Sequence, residues 1–304
     1  MHFARWMERF YLPVKACCDI ICGMLIACVA MSASLSVFDY ATNCIVERVE
    51  RSDPAECLSR FSEYPPSKGR LGFPRCLFQD PFPENEKFWL NDVDFSCASP
   101  WNDAYETLRA GTLISRRHVV FAAHYPLDKG GRILFVDKEF DVCERYIGKS
   151  KTVPGTDIQI AALTEEVSSN IRPAKILPEN YADYIGDGAG LPVVTFNQHE
   201  EALLTEMNPI PTNRVAASHG SRQPRGEGWS RFRKPLISGD SGNPAFLLVG
   251  DQPILLCCLH TGGCGAGPSL LYYRREIQKA MDELCPGYEL ESFDFSRVTS
   301  DMRK

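Results

Sequence analysis

The chain has 304 residues, of which 44% are apolar and 24% charged, and its formal net charge is -6. This balance indicates one or two globular units and argues against a disordered or fibrous protein. The acidic balance leaves no overall basic field to attract phosphates, so we expect no nucleic-acid partner. A short basic cluster is better explained as a solvated loop than as a binding patch: Arg222, Arg225, Arg231, Arg233 and Lys234.

Residues 1–37 are typical of an export signal. Basic residues precede an apolar run at 16–38, which a single charge at Asp19 interrupts. Small residues at 30–34 suit signal peptidase and release of the chain, whereas the segment ending at Cys28 resembles a lipobox, whose cysteine would be acylated. A permanent anchor is the third possibility, although it needs about 20 uninterrupted apolar residues. We expect an exported protein, secreted or periplasmic, or a membrane-tethered lipoprotein.

Four of the 13 cysteines lie in or beside this apolar run, which leaves nine in the rest of the chain. In an oxidising compartment these nine could form disulfides, and their odd number leaves at least one unpaired. They are Cys44, Cys57, Cys76, Cys97, Cys143, Cys257, Cys258, Cys264 and Cys285. No pair has the two-residue gap of a zinc ribbon, so we predict no metal site.

The next part of the chain, residues 38–90, is expected to be a loop-rich N-terminal extension, because prolines interrupt it and its hydrophobic periodicity is weak. After it, short apolar runs alternate with turn residues, as in an all-β protein. The predicted strands are 111–115, 118–123, 132–136, 157–162, 191–196, 202–206, 245–249, 253–258 and 269–273.

One helix is predicted near the end of the chain, ahead of a tail at 286–304. Ile277, Ala280, Met281 and Leu284 recur at helical spacing, and a Pro-Gly pair follows them. We expect this helix to pack the face formed by these four apolar residues against the β-structure.

Three motifs occur in the order His, Asp, Ser along the chain. They are GTLISRRHVVFAAH ending at His124, GTDIQIA containing Asp157, and SGDSGNP containing Ser241. Together they resemble the trypsin-like serine protease family, in patches from about 94 to 285. The resemblance implies a chymotrypsin-like fold of two antiparallel six-stranded β-barrels, the first at 91–180 and the second, with the C-terminal helix, at 181–285.

The chemistry of acyl transfer gives each of these residues a role. A serine hydroxyl becomes a useful nucleophile when an imidazole within hydrogen-bond reach removes its proton, so Ser241 would attack and His124 would be the base. Asp157 would fix the imidazole tautomer. The N–H groups of Gly239 and Ser241 would form the oxyanion hole. The sequence therefore predicts a serine endopeptidase acting on a protein or peptide, without metal or organic cofactor.

Other functions remain open at this point. An α/β-hydrolase is disfavoured, because Asn243 replaces the last glycine of its Gly-x-Ser-x-Gly motif, Pro244 disfavours a following helix, and its acid and histidine should follow the serine. A catalytically silent trypsin-like binding module is the first alternative. An esterase-like hydrolase on the same fold is the second.

The chain departs from the family pattern around the histidine and the serine. Arg109 and Tyr125 stand where many members have a disulfide beside the catalytic histidine. No activation terminus precedes His124 at the usual distance, although its amine normally pairs with the aspartate before the serine. Asp240 must therefore find a basic side chain or backbone donors.

Substrate-binding residues follow from the same resemblance. Pro235, six residues before the nucleophile, would lie at the base of the specificity pocket, and Ser269 would narrow it, so we expect cleavage after small or medium uncharged residues. His260 or Thr261 could hold Asp157, or His260 could merely line the cleft. Gly262 would offer backbone to an extended substrate.

Overall fold

A computed structural model of the chain describes residues 37–62, 82–99, 102–104, 107–210, 213–218, 227–260 and 264–301. These residues form a mostly β structure with two curled, antiparallel-rich sheets and a few helices. The sheets contain five and seven strands, and neither closes on itself. The sequence predicted six strands in each of two closed barrels, so the strand numbers and the closure need correction.

The first sheet has the strand order β3–β4–β7–β6–β5, with antiparallel pairing throughout. Its strands are Thr112–Ser115 (β3), His118–Ala122 (β4), Arg132–Val136 (β5), Val142–Thr152 (β6) and Ile158–Leu163 (β7). A separate two-stranded ribbon precedes it, formed by Asn102–Ala104 (β1) and Thr107–Arg109 (β2).

The second sheet has the order β14–β11–β10–β9–β12–β13–β8, in which only the β13–β8 pair is parallel. Its strands are Lys175–Ile176 (β8), Pro192–Phe196 (β9), Ala202–Met207 (β10), Arg214–Ser218 (β11), Pro244–Val249 (β12), Gln252–Cys258 (β13) and Ala266–Pro268 (β14). Buried side chains from both sheets belong to one continuous core, in which the Phe95 ring lies 5.0 Å from that of Phe196 and 5.5 Å from that of Phe246. Leu134 and Val136 of β5 instead belong to a second, smaller cluster with Phe61 and Phe82.

Eight of the nine predicted strands have a counterpart among these, and the strand at 269–273 is wrong. Residues 270–273 form turns that lead into a helix, because the preceding β14 has already ended at Pro268. The long strand β6 was missed, since charged and polar residues interrupt it and it contains no continuous apolar run.

The described helices are 37–51 (α1), Pro54–Cys57 (α2), Ala182–Ile185 (α3), Glu227–Ser230 (α4), Arg274–Leu284 (α5) and Phe295–Asp301 (α6). Helix α1 corrects the expectation of a loop-rich segment from 38 onward. Val37, Ala41, Ile45 and Val49 recur at every fourth residue, and all four side chains are buried in the core. The prolines that suggested loops follow this helix.

Helix α5 confirms the predicted C-terminal helix. Ile277, Ala280 and Met281 are its buried residues, and the helix packs against β6 and β7. The sequence grouped this helix with the second barrel, whereas its contacts lie on the first sheet. Helix α5 therefore packs the C-terminal part of the chain against the first sheet, whose strands come earlier in the sequence.

The cysteines within the described residues are all free thiols: Cys44, Cys57, Cys97, Cys143, Cys257, Cys258, Cys264 and Cys285. Cys76, the ninth, lies outside the described residues. The expected disulfides are therefore not found in this part of the chain. Cys97, Cys257 and Cys258 are instead buried among apolar side chains, and burial raises the pKa of the Cys97 thiol to about 12.

The predicted export signal lies outside the described residues except for Val37. Within the parts that are described, no helix combines the length and the apolar character needed to cross a membrane. The described members of the basic cluster each pair with a carboxylate: Arg231 with Asp53, Arg233 with Glu206 and Lys234 with Glu201.

A buried histidine at the start of β4 should make the fold sensitive to acid. Burial lowers the pKa of His118 from 6.5 to about 4, and its Nδ1 lies 2.8 Å from the Ser115 Oγ. The unfolded chain therefore binds an extra proton between those pH values, and stability falls as the pH drops through this window. We expect a loss of up to about 3 kcal/mol from this group.

Urea unfolding of the wild type and of His118→Gln at pH 7 and pH 4.5 measures this effect. The variant should be less stable at pH 7 but should lose less stability on acidification than the wild type does. Equal losses in the two proteins would contradict the assignment to His118.

Candidate active site

A chain of hydrogen bonds joins His124, Asp157 and Ser241. The Asp157 Oδ2 lies 2.7 Å from the His124 Nδ1, and the His124 Nε2 lies 2.9 Å from the Ser241 Oγ. The second carboxylate oxygen, Oδ1, accepts a hydrogen bond of 2.9 Å from the His124 backbone N–H. The aspartate therefore fixes both the backbone and the ring of the histidine, and the ring faces the serine hydroxyl.

The first sheet brings the histidine and the aspartate together. His124 lies just after β4 and Asp157 just before β7, and these antiparallel neighbours pair Ala122 with Ile158 at that end. The Ala123 N–H also donates to the Asp157 backbone oxygen at 3.0 Å. Because residues at the same end of an antiparallel pair are close in space, the position of each motif on its strand is enough to form this contact.

The second sheet supplies Ser241 from the turn that precedes β12. The Gly242 N–H donates to the Leu259 oxygen at 2.7 Å, and Gly242 has a φ of +88°. A Cβ atom on Gly242 would lie 2.8 Å from the backbone oxygen of Ala110, so glycine is needed where the turn meets the first sheet. This close approach brings Ser241 within reach of the histidine.

Asn243, which replaces a glycine of the family motif, is compatible with this turn. Its side-chain Nδ2 donates to the Asp240 backbone oxygen at 3.2 Å, and its own backbone oxygen accepts from the Leu259 N–H at 2.8 Å. The side chain is buried. The asparagine thus holds the turn from inside, and the triad geometry is kept.

Asp240 is buried and accepts hydrogen bonds from backbone donors, which was one of the two kinds of partner that the sequence analysis considered. Its Oδ1 accepts from the Gln198 N–H at 2.9 Å and its Oδ2 from the Ile237 N–H at 2.7 Å. Burial raises the pKa of Asp240, and these two hydrogen bonds oppose that rise. The carboxyl group thereby connects the serine turn to the loop that contains Gln198.

Gly239 and Ser241 carry the two backbone N–H groups that the sequence assigned to the oxyanion hole. Gly239 has a φ of +103°, a conformation that favours glycine. Neither N–H group makes a hydrogen bond to a backbone carbonyl of the described residues. Both donors are therefore available for an oxygen atom that approaches Ser241.

His260 lies beside the same aspartate. Its Nδ1 is 3.5 Å from the Asp157 Oδ2, and its backbone N–H donates to the Ala266 oxygen at 2.8 Å. Burial lowers the pKa of His260, and nearby Arg214 lowers it further. The contact favours the possibility that His260 holds Asp157, whereas Thr261 and Gly262 lie outside the described residues.

The other two residues that the sequence assigned to substrate binding do not join this group. Pro235 is exposed, while the next residue, Leu236, is buried. Ser269 is also buried, with its N–H bonded to the Asn213 oxygen and its Oγ accepting from the Tyr272 N–H at 3.3 Å. Ser269 therefore stabilises the turn before α5, and the assignment of Pro235 and Ser269 to a specificity pocket stays a prediction.

Two aliphatic residues missed by the sequence analysis pack behind the serine turn. A Cβ atom on Gly265 would lie 2.9 Å from the Leu236 Cδ1 and 2.8 Å from the Leu259 Cδ2. Leu259 also accepts the Gly242 hydrogen bond, so this apolar contact adjoins the Ser241 turn. The apolar character of both residues was visible in the sequence, but their meeting at Gly265 was not.

A cation–π contact occupies the place of the absent disulfide beside the histidine. The Arg109 guanidinium lies 3.8 Å from the centre of the Tyr125 ring, and its Nη1 donates to the Pro126 oxygen at 3.2 Å. The Tyr125 ring is tilted at 32° to that of His124, with 6.2 Å between their centres. Such contacts contribute about 0.5–2 kcal/mol, so this pair stabilises the turn that holds the histidine.

The side chains of the candidate site differ in their exposure to solvent, which determines whether a substrate can reach them. The side chain of His124 is 47% exposed and that of Asp157 is 21% exposed. The imidazole is therefore accessible from solvent while the carboxylate is largely shielded. Among the described residues, no group of three or more His, Cys, Asp or Glu side chains is arranged to hold a metal ion.

The sequence was compared with known proteins. No protein-family model matches the chain, and no curated protein does either. The expectation of a serine hydrolase therefore rests on the three motifs and on the geometry described above.

Proposed function

We propose that this protein is a serine endopeptidase that hydrolyses peptide bonds through an acyl-enzyme. The observation that carries the proposal is the hydrogen-bond chain from Asp157 through His124 to Ser241. We further propose that the two curled sheets are the two halves of a chymotrypsin-like double barrel. The contact between the two sheets at the serine turn supports this proposed fold, since one sheet supplies His124 and Asp157 and the other supplies Ser241.

In the proposed reaction, Ser241 attacks the carbonyl carbon while His124 takes the hydroxyl proton at Nε2. Asp157 keeps the other ring proton on Nδ1 and stabilises the imidazolium that forms. The N–H groups of Gly239 and Ser241 stabilise the developing oxyanion, each by about 3 kcal/mol. His124 then gives its proton to the leaving amine, and water releases the acyl group by the same steps.

A fluorophosphonate probe, followed by assays with peptide and ester substrates, tests this proposal. Covalent labelling of the folded protein at Ser241, together with peptide cleavage, is the expected result. Labelling with hydrolysis of esters alone would select the esterase-like alternative. No labelling of folded protein would select the catalytically silent binding module.

We propose a preference for small or medium uncharged residues before the cleaved bond. The aliphatic contact of Leu236 and Leu259 at Gly265 lies next to the serine turn and offers no counter-ion to a cationic side chain. A cation buried there without a partner would cost several kcal/mol. Mass spectrometry of a digested peptide library measures the preference, and dominant cleavage after Arg or Lys would refute it.

A further inference from the structure

A short buried segment near the N-terminal side of the core lies against a turn of the second sheet. The segment is Leu58–Phe61, called here the 58–61 segment, and the turn is 197–201, between β9 and β10. The Arg60 N–H donates to the Glu200 oxygen at 3.1 Å, and the Ala202 N–H donates to the Leu58 oxygen at 2.9 Å. The segment thus forms an isolated antiparallel bridge with this turn, in which Ser59 lies opposite Glu201.

Arg60 anchors the segment to the rest of the molecule. Its side chain is almost completely buried, with 7% of the residue exposed. The guanidinium donates to the backbone oxygens of Val136, in β5, at 2.8 Å and of Phe95 at 3.3 Å. Because β5 belongs to the first sheet, Arg60 ties the first sheet to the turn of the second.

The 197–201 turn contains a residue in an unfavourable backbone conformation. Glu200 has a φ of +52°, which is uncommon for a residue other than glycine, and its side chain is buried. Strained conformations of this kind persist where the surrounding structure holds them in place. The hydrogen bond from the Arg60 N–H acts directly on this residue.

The same turn contacts the residues on either side of Gly239. The Gln198 N–H donates to the Asp240 Oδ1 at 2.9 Å, and the Gln198 Nε2 donates to the Ser238 oxygen at 3.4 Å. A Cβ atom on Gly239 would lie 3.1 Å from the Gln198 Oε1. A displacement of the turn would therefore move both Asp240 and the backbone at Gly239.

From this continuous set of contacts we infer that the 58–61 segment sets the oxyanion site, with Arg60 as its positioning residue. The path runs from Arg60 through Glu200 and Gln198 to Asp240 and Gly239. The segment would then give from within the chain the support that a charged chain terminus gives in trypsin-like proteases activated by cleavage. This inference rests on the proposed function, because an oxyanion site matters only for an acyl-transfer enzyme.

The test uses Arg60→Met in the full chain, with Arg60→Lys as the conservative variant and Arg116→Met as the matched control. Arg116 also donates to a backbone oxygen, that of Val167, and pairs with Glu166, and neither partner belongs to the 197–201 turn. The rate of fluorophosphonate labelling per active site is measured, and the number of active sites is titrated separately. Proton NMR reports the hydrogen bond between His124 and Asp157.

We expect Arg60→Met to lower the labelling rate per site and kcat by about 100-fold, the size of the loss when one oxyanion donor is removed. The NMR signal and KM should stay close to the wild-type values, and Arg60→Lys should recover part of the rate. A labelling rate equal to that of Arg116→Met would overturn the inference. A loss only in the number of active sites would overturn it as well, since that marks a structural role.

A second variant keeps the test valid if Arg60→Met does not fold. The Asn85 Nδ2 donates to the Ser59 oxygen at 2.8 Å from the outer side of the 58–61 segment. Asn85→Ala loosens the segment without emptying the core, and it should lower the labelling rate per site by at least about threefold. An unchanged rate would contradict the inference. If the wild type itself does not label, the proposed function is what fails, and the inference falls with it.

Discussion

Replacing Ser241 with alanine should abolish fluorophosphonate labelling and lower kcat for peptide cleavage by about a million-fold. The hydroxyl that donates its hydrogen bond to the His124 Nε2 is the proposed nucleophile, and alanine has no group that can form the acyl-enzyme. The change removes one oxygen atom at a partly exposed position, so the free energy of unfolding should change by less than about 0.5 kcal/mol. Active-site labelling, peptide cleavage and urea unfolding measure the three quantities.

Ser150→Ala is the matched control, because Ser150 is an exposed serine on β6 and takes no part in the site. It should retain full labelling. His124→Ala should be as severe as Ser241→Ala, and the double variant should lose little more, since the two residues act as one unit. Persistent peptide cleavage by Ser241→Ala would remove this serine as the nucleophile.

Replacing Asp157 with asparagine should lower kcat by about 10,000-fold while the protein stays folded. The carboxylate accepts from the His124 Nδ1, so the free electron pair of the ring faces Ser241 from Nε2. An asparagine amide can instead donate to Nδ1, which places the ring proton on Nε2 and leaves no base for the serine hydroxyl. The rate of acylation should fall, whereas KM should change little.

Asp141→Asn makes the same chemical change at an exposed position of the β5–β6 connection and should keep normal activity. The His124 proton signal offers a second measurement, because a change of tautomer alters its chemical shift. Full activity of Asp157→Asn would show that another group orients His124. His260, at 3.5 Å from the same carboxylate, would then be examined by substitution in the Asp157→Asn background.

The local parts of the site could be predicted from the sequence because each lies within one short motif. Gly-Asp-Ser-Gly contains the turn-forming residues around Ser241, and an apolar run follows Asp157 directly, so its place at the start of a strand was visible. The meeting of His124 with Asp157 then follows from the antiparallel pairing of β4 and β7.

Contacts between distant parts of the chain could not be predicted in this way. The hydrogen bond from Gln198 to Asp240 joins residues 42 positions apart, and neither residue signals the other in the sequence. The same holds for Leu236 and Leu259, whose side chains meet at Gly265. Helix α1 was missed for a different reason, since the prolines farther along were taken to mark the whole segment as loops and the every-fourth apolar pattern at its start was overlooked.

The contact between Arg109 and Tyr125 has a consequence for the chemistry of the turn that carries the imidazole. A disulfide at this position would need an oxidant to form and would be reduced by a thiol reductant. A guanidinium stacked on a phenol ring needs neither, because no electrons are exchanged when it forms. The turn can therefore form without an oxidation step, and a reductant such as dithiothreitol should not disrupt this contact.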